Sequence, residues 1–199
     1  MKHTALILAL SALAAAPATA ATGDAADARA LLMQGVGHAT VKGRGQTRGY
    51  ADALKAYLVK AGFAPADISI EDVAGTATLH AVYRGTGKAT PIALTAHMDV
   101  VEADPKDWTR DPFVAVEEGG YIFGRGVEDN KFDLSMLVAT LARLKSQGFR
   151  PNRDLHLFLS GDEETEGLTA EKQAAAARAA GVEFMLNTCL LYTSPSPRD

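Results

Sequence analysis

Two short, mostly apolar runs, Ile92 to Ala96 and Leu155 to Leu159, set the strongest limit on the fold. Each has the length of a strand and leads straight into a polar loop. Runs of this kind are buried on both faces, as in an interior strand of a sheet covered by helices. Between them, apolar residues at 134, 137, 138, 141 and 144 form a helical stripe that Gly148 closes. The rest of the chain continues the alternation. Helices are expected over 24–37, 49–62 and 169–180, and strands over 68–71, 76–83 and from Val182 to Leu186. A hairpin is expected from 113–117 to 121–123 across Gly119-Gly120. Strands interleaved with helices specify an α/β domain, with a mostly parallel central sheet flanked by helices.

Composition excludes several functions. The formal net charge is −4, with no basic stripe, so nucleic acid is not an expected partner. A single cysteine, Cys189, leaves no disulfide framework and no Cys-rich zinc knuckle. Residues 1–20 have the layout of an export signal: Lys2 and His3, an uncharged run from Thr4 to Ala16, Pro17, then Ala18-Thr19-Ala20. The run is too short to span a bilayer, which takes about 20 residues. Residues 21–188 are therefore expected to form the folded domain, periplasmic or secreted, with no membrane attachment after cleavage. The segment 189–199, CLLYTSPSPRD, has two prolines in three residues and no amphipathic period, and reads as a non-native tail.

Two apparent nucleotide motifs fail. In Gly43-Arg44-Gly45-Gln46-Thr47-Arg48-Gly49 the third glycine is displaced and no strand precedes it. Gly87-Lys88 lacks the flanking residues of a phosphate loop and reads as a turn.

Three other loops carry chemistry. In Thr95-Ala96-His97-Met98-Asp99, His97 and Asp99 are two apart and point the same way in an extended chain. A carboxylate so placed can take the free N–H of a metal-bound imidazole; alone, the pair reads as a packing contact. Gly124-Arg125-Gly126-Val127-Glu128-Asp129-Asn130-Lys131 precedes the striped helix, where Asp129 alone would read as a helix cap. Gly161-Asp162-Glu163-Glu164-Thr165-Glu166-Gly167 follows the second apolar strand, where α/β proteins place ligands; alone, it is a solvated acidic turn. Jointly the three supply one neutral imidazole and several carboxylates at separate loop edges. That donor set suits zinc, and carboxylate bridging suits two zincs. Paired metals can activate water against an amide.

These motifs, together with Trp108 and Asp111-Pro112-Phe113, resemble those of the co-catalytic dizinc exopeptidases and amidohydrolases. That group includes carboxypeptidase G, aminoacylase, carnosinase and succinyl-diaminopimelate desuccinylase. The resemblance implies that His97 ligates one zinc, Glu164 the other, and Asp129 bridges both. It implies that Asp99 orients His97 and that Glu163 is the general base. It also implies a cis Asp129–Asn130 bond, a short peptide or N-acyl amino acid as substrate, and a later domain that mediates homodimerisation. The chain departs from the family in two ways. The family has a further acidic ligand where this sequence reads Asn187-Thr188-Cys189, and a late histidine where none follows His156. Three of five expected ligands are therefore present. The expected chain is an N-terminal part of the catalytic domain without the lid domain, itself inactive, and the alternative is a non-catalytic protein that binds peptide or metal and lacks two metal ligands.

Overall fold

The computed structural model describes residues 22–189. Residues 1–20, expected as an export signal, and all but the first residue of the expected tail lie outside the described residues. The helices are α1 (Thr22–Val36), α2 (Thr47–Lys60), α3 (Asp133–Ser146) and α4 (Leu168–Ala179). The strands are β1 (Ile68–Val73), β2 (Thr76–Tyr83), β3 (Ile92–His97), β4 (Val116–Glu118), β5 (Tyr121–Phe123), β6 (Leu155–Ser160) and β7 (Met185–Asn187).

Five strands form one sheet in the order β1-β2-β6-β3-β7. β3 runs parallel to both β6 and β7, whereas β1-β2 and β2-β6 are antiparallel. The antiparallel edge follows from local chemistry. Ala74 and Gly75 both have positive φ, 47° and 86°, the signature of a two-residue turn that folds β1 directly onto β2. β4 and β5 pair as a separate hairpin.

The two faces of the sheet are unequal. Tyr50, Leu54 and Leu58 recur at helical spacing on α2 and are buried against Leu79, Ala81 and Leu157 of the sheet. Leu134, Val138 and Leu141 of α3 join the same cluster. Each of these leucines contributes about 1.5–3 kcal/mol on burial. The opposite face is thin: Ala177 of α4 covers Ala93 and Phe158. His156 lies on this second face, alternating with the core residues Leu155, Leu157 and Leu159, and stacks on His80.

One parallel pairing places the site. His97, at the end of β3, is in register with Ser160, at the end of β6. The loops that follow these strands therefore leave the sheet side by side, at the edge where α/β proteins bind ligands. Gly161 opens the second loop, and a Cβ there would lie 2.2 Å from the Ala77 carbonyl oxygen. No other residue type fits that approach.

Candidate metal centre

His97 is almost fully buried, 1% exposed. Its Nδ1–H donates to the Asp99 carbonyl at 3.1 Å, which leaves Nε2 as the free ring nitrogen. Nε2 lies 2.9 Å from Asp129 Oδ1. An imidazole lone pair and a carboxylate oxygen are both acceptors, so a positive centre must sit between them. In the metal-free chain that centre is a proton. Burial disfavours the imidazolium, but Asp99 and Asp129 outweigh it and push the His97 pKa up to about 9.

Asp99 is buried beside His97. Its Oδ1 lies 3.4 Å from His97 Nδ1 and has no hydrogen-bond donor of its own. Its Oδ2 accepts from the Glu164 backbone N–H at 2.9 Å. The residue expected only to orient His97 thus also fastens the loop after β6 to the loop after β3. Glu164 is half-buried, and its carboxyl is held above the usual range by burial, then by the Asp129 charge. Glu163 is exposed beside it.

Asp129 stands on a turn with π-type bonding, Val127–Phe132, that leads into α3. The Asp129–Asn130 bond is cis. Lys131, on the same turn, is fully buried beneath it. Its Nζ donates to the carbonyls of Gly35 at 2.9 Å and His38 at 2.7 Å, and lies 5.3 Å from the centre of the Tyr50 ring. Burial pushes this amine down to about 7, partly offset by Asp99. A second brace comes from Thr40, whose hydroxyl donates to the Met98 carbonyl at 2.6 Å.

The centre opens into a groove of about 490 Å³ that Asp129 and Glu164 share with Val101, Trp108, Phe123 and Arg125. That volume suits a small-molecule cleft. The Arg125 guanidinium stacks over Trp108, 5.4 Å from the ring centre.

The residues fit a divalent cation. A buried imidazole turns its Nε2 toward a carboxylate oxygen, and Asp99 carries an oxygen without a donor. The Glu164 carboxyl is held above the usual range by burial first and then by its crowding with other acids. One ligand atom each from His97, Asp129 and Cys189 also lie within 4.8 Å of one another. The sequence placed Cys189 in the tail and assigned it no role; its side chain reaches the centre because β7 runs parallel to β3 and delivers it there.

A profile of peptidase family M20/M25/M40 matches residues 93–195, half of the chain. The chain belongs to this family. The M20 chain is 39% identical over 95 residues to the N-fatty-acyl-amino acid synthase/hydrolase PM20D1 of Bos taurus, across 47% of its own length and 19% of that protein. It is 44% identical over 82 residues to a probable succinyl-diaminopimelate desuccinylase of Staphylococcus aureus, across 40% of its length and 20% of that protein. Its fold is similar to that of human carnosine dipeptidase 1, with a TM-score of 0.70 at 18% identity, over 85% of this chain and 39% of that one. It is also similar to Bacillus subtilis YXEP, described as a dinuclear metal binding peptidase, with a TM-score of 0.60 at 17% identity, over 83% of this chain and 43% of that one. The M20 chain thus spans about a fifth of the curated relatives and less than half of these solved structures.

Proposed function

We propose that this M20 protein is a zinc-dependent hydrolase of amide bonds in short peptides or N-acyl amino acids. The observation that carries the reading is the 2.9 Å approach of His97 Nε2 to Asp129 Oδ1, with Glu164 on the adjoining loop. His97, Asp129 and Glu164 would hold the metal pair, with Asp129 shared. When bound, zinc supplies Lewis acidity, which lowers the pKa of water and polarises the amide carbonyl. Asp99 keeps the His97 proton on Nδ1 and so keeps Nε2 available. Glu163, exposed where water reaches it, takes the proton of the attacking water and returns it to the leaving amine. The groove wall of Val101, Trp108 and Phe123 receives the apolar part of the substrate, and Arg125 adds positive charge beside it. The basic start, apolar run and small-residue site of residues 1–20 support a periplasmic or secreted location for this activity.

A second reading is a protein that binds peptide or metal without turnover. It is favoured by Asn187-Thr188-Cys189 standing where the family has an acidic ligand.

The test pairs metal content with hydrolysis. The full-length protein is loaded with Zn²⁺, assayed on dipeptides and N-acyl amino acids, and assayed again after chelation. The expected result is hydrolysis that chelator removes and Zn²⁺ restores. Glu163→Ala should abolish it while leaving metal content intact. Metal uptake without hydrolysis on any substrate selects the second reading, and failure to take up metal overturns both.

A further inference from the structure

The sheet contains an inserted side chain next to the metal centre. β3 and β7 pair in parallel up to Thr95 and Asn187. On that edge the backbone alternates regularly: Ala93 N–H donates to Phe184 O at 3.0 Å, and Thr188 N–H donates to Thr95 O at 3.1 Å. The next rung of a parallel ladder would join His97 N–H to Thr188 O. Instead, Asn130 stands between them. Its Oδ1 accepts from His97 N–H at 3.2 Å, and its Nδ2 donates to Thr188 O at 3.4 Å. The other Nδ2 hydrogen goes to Asp133 Oδ2 at 3.1 Å.

Asn130 is 1% exposed, so these bonds are not shared with bulk water. The partners also fix which end of the amide is which. Turning it over would aim Nδ2 at an N–H and Oδ1 at two acceptors. The side-chain amide therefore substitutes for a peptide group and carries the rung across a widened gap.

We propose that Asn130 is a positioning residue of the metal centre, wedging β3 from β7 so that His97 and Asp129 face each other. The inference rests on the metal-centre reading above, and goes beyond it by assigning the device that sets the spacing of two of its ligands. Asn130 directly follows Asp129, and its Oδ1 holds the backbone of His97. One side chain thus fixes both ligands to the same point of the sheet. The geometry needs an acceptor and a donor on one short planar group. Alanine supplies neither, and aspartate supplies only the acceptor.

The test compares the full chain with Asn130→Ala, Asn130→Asp and Val138→Ala, the last a core substitution on α3 outside the proposed ligand set. Amide hydrogen exchange is followed by NMR without metal, and Co²⁺ is titrated by its visible spectrum. Asn130→Ala should expose the His97 amide to exchange, weaken Co²⁺ by at least about tenfold and alter its spectrum. Asn130→Asp should restore protection of the His97 amide, because the acceptor is retained, and leave the Thr188 side open. Val138→Ala should lower overall stability and leave Co²⁺ affinity within about twofold. Wild-type Co²⁺ affinity and spectrum in Asn130→Ala would overturn the proposal, as would a loss equal to that of Val138→Ala. Should the wild-type chain take up no Co²⁺, the metal reading fails. The wedge is then decided by exchange alone, and an unchanged His97 amide in Asn130→Ala refutes it.

Discussion

Lys131 gives the sharpest quantitative prediction. Its amine is fully buried, donates to two carbonyl oxygens, and is pushed down to about 7 from the 10.5 of an exposed lysine. Between these two values the unfolded chain binds a proton that the folded chain has released. Stability therefore rises with pH through that window, by up to about 1.4 kcal/mol per pH unit. The penalty of burying the charge is present in full below pH 7 and is relieved as pH climbs toward 10.5. Lys131→Met removes the titration and leaves the Gly35 and His38 carbonyls without their donor, a loss that does not vary with pH. The stability difference, wild type minus variant, should thus grow by about 4 kcal/mol between pH 7 and pH 10. Urea denaturation of both proteins at half-unit pH steps measures it, and the subtraction cancels the other titrating groups. A difference that stays flat across the window would mean that the two carbonyls keep the amine charged, and the argument from burial would be wrong.

Three further outcomes follow from the fold. Ala74 has φ 47°, a conformation costing about 1 kcal/mol for a residue with a Cβ. Ala74→Asn should therefore raise stability by about that amount in a thermal melt, and a lower Tm would contradict the turn assignment. Gly161→Ala drives a Cβ against the Ala77 carbonyl, so it should cost at least about 2 kcal/mol in urea and loosen the Glu164 loop. A neutral effect there would mean that the loop does not pass so close to β2. The His80 imidazole is pushed down to about 4, by burial first and then by His156 and Arg84. It should stay neutral at pH 5 in an NMR titration, while overall stability falls as pH drops from 6.5 toward 4. A midpoint near 6.5 in the folded protein would show that the stacked pair is open to solvent.

The elements that sequence exposes best are those whose signal is local. The runs at Ile92 and Leu155 became β3 and β6, and the stripe from Leu134 to Leu144 became α3, because burial there is written in consecutive side chains. The loops bearing His97, Asp129 and Glu164 could be placed for the same reason, each being attached to one of those elements. Features made by contact between distant segments were not visible. Lys131 carries no sequence signal for burial, because what buries it is α1 and the His38 loop closing over it. Asp99 reads as a partner for His97 alone, because its bond to Glu164 N–H depends on how β3 and β6 are aligned. Asn130 gives no signal beyond its place in Gly124 to Lys131, since its partners come from β3, α3 and the end of β7. The hairpin expected from Phe113 begins at Val116, and Asp111 instead bonds the Phe113 N–H through its own carboxylate in a local turn.

The unequal faces of the sheet bear on how this molecule can change over evolutionary time. Among the described residues, the braces behind His97 and Asp129 come from one side, Lys131 to the end of α1, Thr40 to Met98, Tyr50 beneath Lys131, whereas Thr169 of α4 holds the Gly161-Asp162 end of the Glu164 loop. The α4 side meets the sheet mainly through Ala177, Ala93 and Phe158. Sequence drift on the solvent face of α4 can therefore proceed without disturbing the geometry at His97, whereas the buried Thr169 is tied to the Glu164 loop. Drift in α1, α2 or the turn between Gly35 and Thr40 moves the ligands themselves. A library randomised over the solvent face of α4 should retain metal binding in most members, and one randomised over residues 35–41 should lose it in most.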